Sequence, residues 1–413
     1  MTDLNRRQIL TGAAGAAAAL VAPPRRARAQ EQAIRIGVLA DFSGPYRSTS
    51  GPTSLAAAQQ AVEDLGLAAR GIRAEVVQGD HQNRPDAALA LARRWIDQDG
   101  VDAITVVNNS AIALALANLM REKDRVHLNT GAATSALTGP QCSANTLHWT
   151  YDTWMFANVV GGATVRSGGD SWYFITADYA FGHQLERDTA GFVTRAGGRM
   201  LGSARYPFPG TTDFSSFLLQ AQASRAKVIG LAMAADDVVN CVKQAHEFGL
   251  TRRGQQLAGM IMFVQDIRGI GLESAQGMIM SEVYYHDLNE RTRGLAQRIL
   301  RRTPDNMPSQ LHAGTYSACL HYLKVVAEMG VARAKQSGLA VIEAMKRLPT
   351  DDDAFGPGRI REDNRKLHPA YLFEVKSPAE SRGPWDFYKL RATVPAEEAF
   401  RPLAEGGCPL VRG

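Results

Sequence analysis

Three short stretches carry most of the groups that could hold a small ligand: SGPYRSTSG (43–51), NNSA (108–111) and NTGAATSALT (129–138). Each follows a short apolar run, and each leads toward a helical pattern. Unpaired N–H groups and a partial positive charge gather where a helix begins, and both favour an anion. The chemistry expected there is capture of a carboxylate. Ser110 supplies a hydroxyl, and Gly131, Ala132 and Ala133 supply backbone N–H groups. Plain capping is the simpler use of Asn109 or Ser110 at the start of IALALANLM, and spacing alone leaves both uses open.

Aromatic rings gather at similar places: Tyr46 in the first loop, Tyr179 and Phe181 in DYAFG, and Phe263 in MIMFVQD. Trp149 and Tyr151 add to them in LHWTYDTWM (147–155). Such rings pack hinges and cores, but together with the polar loops they also suit a pocket that is mostly apolar with a few fixed polar groups. Asp266 in MFVQDIRGIG either meets a ligand's ammonium or caps the short helix-like IRGIG. Phe181, Phe263 and Tyr46 add apolar surface. The expected ligand is a small carboxylate with an apolar or aromatic body, with branched-chain amino acids as the alternative.

Catalytic motifs are missing from the sequence. There is no G-x-S-x-G, H-E-x-x-H, G-x-x-x-x-G-K-[ST] or C-x-x-C. The nine histidines show no tight metal-ligand spacing. No cofactor, no metal and no enzyme activity are expected.

The elements that must position these loops alternate along the chain. Strand-like runs at 34–40, 73–79, 101–107 and 125–129 are separated by helix-like runs near 52–66, 85–99 and 111–123. The rhythm restarts with strands at 171–177, 199–206, 226–233 and 255–263 and helices near 181–196, 212–223 and 236–248. Short apolar strands alternating with helices indicate parallel sheets built from βαβ units. In such sheets ligands bind beyond the carboxyl ends of the strands, where all three loops fall. The expected organisation is α/β and two-lobed. Residues 30–150 begin lobe 1, 151–284 form most of lobe 2, and 285–368 return to lobe 1 through helices at 289–302, 309–328 and 333–348. Residues 369–413 form a hairpin (371–376 with 385–394) and a tail near the hinge.

The opening MTDLNRRQILTGAAGAAAALVAPPRRARAQ has paired Arg6 and Arg7, an Ala/Gly-rich apolar run and Ala27-Arg28-Ala29. This pattern is expected to be a twin-arginine export signal cleaved after Ala29, which places the mature chain in the periplasm. Residues 1–29 hold five arginines and one aspartate, so 41 basic and 40 acidic residues remain. That balance gives no reason to expect nucleic acid or an anionic membrane as partner.

The segments IRIGVLADFSGPYRSTSGPTSLAAAQQAVEDLG, VDAITVVNNSAIALALANLMREKDRVHLNTGAATSALT, ADYAFGHQLERD and AQGMIMSEVYYHD follow one another in this chain. In that order they resemble the exported leucine/isoleucine/valine-binding family of ABC-transporter solute receptors. The resemblance implies a type 1 periplasmic-binding fold with three crossings between the lobes. It also implies a ligand in the interlobe cleft and a monomer that docks on a membrane permease. A ligand-sensing module of the same fold without transport is the alternative. Residue by residue, the family's carboxylate-holding serine corresponds to Ser110. Its next-loop backbone and threonine positions fall on Gly131 and Ala133, with Thr134 as the nearest hydroxyl. Its first-loop tyrosine falls near Ser50, with Tyr46 as a replacement, and its second-lobe tyrosine falls on Phe181 beside Tyr179. The acidic residue that meets an ammonium falls at Gln265 or Asp266.

Four cysteines allow three complete pairings. Cys241 and Cys319 lie in helix-like runs and are expected to be buried thiols. Cys142 and Cys408 lie in proline-flanked loops and are expected to pair, tying the tail to lobe 1 near the hinge.

Overall fold

A computed structural model describes residues 33–250 and 254–411, so the expected export signal at 1–29 lies outside the described residues. Lobe 1 is built on five parallel strands: β1 (Ala33–Ala40), β2 (Arg73–Asp80), β3 (Ala103–Val106), β4 (Val126–Asn129) and β5 (Thr146–His148). They lie in the order β2-β1-β3-β4-β5. The inner strands are buried on both faces, which explains their unbroken apolar runs, whereas β2 at the edge is half-exposed. Helices α1 (Gly51–Leu65), α2 (Pro85–Asp97) and α3 (Ser110–Glu122) connect them.

Lobe 2 repeats the plan. Strands β6 (Ser171–Ala177), β7 (Arg199–Tyr206), β8 (Val228–Ala232) and β9 (Gln256–Gly259) run parallel in the order β7-β6-β8-β9. They alternate with α4 (Ala180–Arg195), α5 (Ser215–Ala223), α6 (Asp236–Glu247) and α7 (Val264–Ile270). A bridge from Ile261 to Ser281 joins this sheet to β10 (Ile279–Glu282). The chain then returns to lobe 1 as α8 (Glu290–Leu300) and the 20-residue α9 (Gln310–Met329), which packs on α1.

Two of the expected elements that differ in extent show why they do. The strand expected over 255–263 ends at Gly259, because Phe263 turns to start α7. The helix expected over 333–348 is two, α10 (Val331–Gln336) and α11 (Gly338–Arg347). Ser337 between them is extended, and its side chain caps α11 through Ala340 N–H. Two short strands, β11 (Arg359–Ile360) and β12 (Lys366–Leu367), precede the hairpin. That hairpin, β13 (Ala370–Val375) and β14 (Tyr388–Val394), pairs antiparallel and adds to β10, so it extends the lobe 2 side.

Three passages cross between the lobes, after β5, after β10 and before β13. Arg365 clamps two of them together. Its guanidinium donates to Thr150 O, lies 3.6 Å from Asp152 and stacks 3.9 Å over the Phe400 ring. Cys142 and Cys408 are joined by a disulfide, with Cα atoms 5.6 Å apart, while Cys241 and Cys319 are buried free thiols. No described helix is long and apolar enough to cross a membrane.

Candidate functional site

The first loop is shaped by Asp41 at the end of β1. Its carboxylate oxygens accept the backbone N–H groups of Ser43, Gly44 and Tyr46 at 3.2, 2.6 and 3.0 Å, and the Asn83 amide at 2.5 Å. Gathering these donors curls the loop and turns the Tyr46 ring into the cleft. There its hydroxyl meets that of Tyr179 from lobe 2 at 2.5 Å. Burial and this contact both hold the Tyr46 phenol well above its ordinary range.

The second loop resolves the capping question. Asn109 is the N-cap of α3, its side-chain oxygen accepting Ala111 and Ile112 N–H at 3.0 and 3.2 Å. Ser110 is thereby free of that duty. Its Oγ accepts Thr134 N–H at 3.3 Å, which leaves its O–H to donate elsewhere. The third loop lies against the second. A Cβ on Gly131 would meet the Asn108 Cα at 2.8 Å, so glycine is what lets the two loops touch.

Gly131 N–H is spent on Val106 O and Ala132 N–H on the Asn129 side chain. Both N–H groups, expected from sequence to be free for a carboxylate, are thus already paired within the protein. The Ala133 N–H has no such partner among the described residues. Thr134 caps the following turn through Ala136 N–H.

From lobe 2 come Tyr179 and Phe181 at the start of α4, and Phe263 at the start of α7. Gly182 lets α4 begin hard against β6, since a Cβ there would lie 2.1 Å from Ala177 O. Tyr179 stacks on Phe208 with centroids 4.4 Å apart, and Tyr151 meets Phe263 edge-on at 5.9 Å.

Eight of the residues singled out in the sequence line one interlobe cavity: Tyr46, Ser110, Gly131, Ala133, Tyr151, Tyr179, Phe181 and Phe263. Ser50, Asn109 and Ala132 are buried beside it without lining it, Ser50 donating to Asn108 Oδ1 at 2.9 Å. Thr49, Asn108, Ala234, Ile261 and Leu311 complete the wall. No charged side chain is among them. The space between these walls holds about 20 Å³, room for a single water.

Outside it opens a larger cleft of about 960 Å³, and Asp266 belongs there. Asp266 accepts Phe263 N–H at 2.9 Å and caps α7, and burial pushes its carboxyl up to about 8. Asn306 spans this outer cleft, donating to Ser48 O and Thr53 Oγ1 of lobe 1 and accepting from Gln265 of α7. Deeper in, Ser135 and Thr153 hydroxyls both donate to Asp188 of α4, at 2.9 and 2.6 Å. Among the described residues no group of three His, Cys, Asp or Glu is placed to hold a metal.

Two parallel-sheet lobes, three crossings and a cavity walled by both lobes define a cleft-type ligand receptor. The chain belongs to the periplasmic binding protein family, whose model matches residues 33–383. A periplasmic binding protein of Burkholderia mallei is 42% identical over 92% of this chain and 100% of the other, with a TM-score of 0.88. A branched-chain amino acid ABC transporter periplasmic ligand-binding protein of Burkholderia xenovorans LB400 is 36% identical over 91% and 99%, with a TM-score of 0.79. A solute-binding protein of an R. palustris ABC transporter, in complex with benzoate, is 17% identical over 91% and 99%, with a TM-score of 0.79; that likeness shows the fold alone. No curated protein matches the chain. It is thus an ABC-transporter solute-binding protein of periplasmic type, a binder and not an enzyme.

Proposed function

We propose that the chain captures a small monocarboxylate with an apolar or aromatic body between its lobes and hands it to the permease of an ABC importer. The carrying observation is the composition of the cavity wall. Ser110 and Ala133 stand beside five aromatic rings (Tyr46, Tyr151, Tyr179, Phe181 and Phe263), and no charged side chain lines it. An ammonium buried there would have no anionic partner, which is costly. A carboxylate would meet a hydroxyl and an N–H dipole at the start of α3 and the loop beside it. Asp266, pushed up to about 8, is mostly protonated at neutral pH and is a poor counter-ion. The fold accommodates such a ligand in the benzoate-bound R. palustris protein.

A branched-chain amino acid is the second reading. It is favoured by the presence of Asp266 next to Phe263 and by the name of the B. xenovorans relative. Calorimetry on matched pairs separates the two, for example phenylalanine against phenylpyruvate and leucine against 4-methyl-2-oxopentanoate. The oxo acids are expected to bind tighter. Consistently tighter amines, with the preference abolished by Asp266→Asn, would install the amino acid. For the tightest acid, Ser110→Ala is expected to weaken binding by about tenfold to a hundredfold, the cost of losing one hydrogen bond to a charged group. Export through the twin-arginine signal and action as a monomer complete the reading.

A further inference from the structure

Asn108 lines the cavity, yet its carboxamide is turned in one direction only. Three donors converge on Oδ1: Asp41 N–H at 3.2 Å, the Ser50 hydroxyl at 2.9 Å and His81 Nε2 at 3.0 Å. A backbone N–H can only donate, so the oxygen of the amide must be the atom facing it. The His81 ring agrees. Its Nδ1 accepts Asn83 N–H at 3.0 Å, which leaves the ring proton on Nε2, pointed at Asn108. His81 is fully buried, and burial lowers its pKa, keeping that single neutral tautomer.

The other end of the amide is unspent. Asn108 Nδ2 is buried and has no hydrogen-bond partner among the described residues. A buried amide nitrogen with two free N–H groups is costly unless something takes them. Its neighbours on the cavity wall, Ser110 and Ala133, present donors as well.

We infer that Asn108 is a ligand-binding, specificity-setting residue. With its Oδ1 held by Asp41, Ser50 and His81, its amide offers Nδ2 to an oxygen of the ligand's carboxylate and rejects an ammonium at the same place. The inference rests on the monocarboxylate reading above and assigns the acid group to the Asn108–Ser110 side of the cavity. The same lock that orients the amide makes it selective, because turning it over would set a backbone N–H against an NH2 group.

Asn108→Asp is the informative substitution. It preserves shape and the acceptor that Asp41, Ser50 and His81 need, and it replaces the donor with an anionic oxygen. Phenylpyruvate, benzoate and 4-methyl-2-oxopentanoate are titrated calorimetrically against the wild-type mature protein, and the tightest of them against the variant. Affinity is expected to fall by about a hundredfold or more while the far-ultraviolet circular dichroism is unchanged. An affinity within about threefold of wild type in a folded variant overturns the inference. A crystal structure of the wild type with the same probe decides the matter even if the variant fails to fold. A carboxylate oxygen within about 3.2 Å of Nδ2 supports the assignment, and a carboxylate turned away from Asn108 overturns it. If none of the three probes binds the wild type, the parent reading and this one fall together. A probe held equally by both proteins removes only this one.

Discussion

The carboxyl of Asp266 is buried, accepts one backbone N–H and is pushed up to about 8 by desolvation. An unfolded aspartate titrates near 3.9, so Asp266 contributes stability that is full below about pH 4 and is lost as pH rises through about 8. Asp266→Asn keeps an oxygen for Phe263 N–H and removes the titration. The variant is expected to match wild type near pH 4 and to melt progressively higher than it toward pH 9. A melting-temperature difference that is flat with pH would contradict the buried, protonated state. At this scale the sequence showed which loops matter more clearly than which residue of each loop faces in. Small polar residues after an apolar strand pointed to Ser110 and Gly131. Asn108 and Asn109 are the same residue type one position apart, and only the start of α3 decides that one caps and the other lines the cavity. Likewise Ser50 and Tyr46 share a loop, and the Asp41 hydrogen bonds that curl it turn the tyrosine inward.

Helix α3 depends on Asn109 for two of its first N–H groups. Asn109→Ala is expected to lower stability by about 1 kcal/mol in urea unfolding while leaving ligand affinity within about threefold. That is the opposite of the Ser110→Ala pattern. Equal loss of binding in both variants would mean that the helix start, rather than the serine hydroxyl, holds the ligand. Elements with a strong apolar pattern were legible: β6 and β7 occupy the very residues that alternation marked, 171–177 and 199–206. The short strands β5, β10, β11 and β12 were not, since they lie outside the apolar strand–helix alternation. The break at Ser337 was also hidden, because a serine in a helical run reads as tolerated until its side chain is seen capping the next helix.

Across the whole molecule, the Cys142–Cys408 bridge spans 266 residues and fastens the tail to lobe 1. Reduction is expected to cost about 2–4 kcal/mol and to lower the thermal midpoint. Cys142→Ser should reproduce that shift and abolish any further effect of reductant. A midpoint indifferent to reductant would show that side-chain contacts such as Arg401 to Ser135 O hold the tail unaided. The contact between Tyr46 and Tyr179 carries a different kind of consequence. It is made between the lobes themselves, as is the Gln265–Asn306 bond, so both hold the lobes together. A ligand that enters between the lobes has to part this tyrosine pair. Each ligand therefore sees just the open fraction, and its apparent affinity is scaled down by that fraction. On the time axis, Tyr46→Phe, which removes that hydroxyl pair, is expected to speed loading in stopped-flow binding at high ligand concentration, and an unchanged rate would show that the pair does not gate entry.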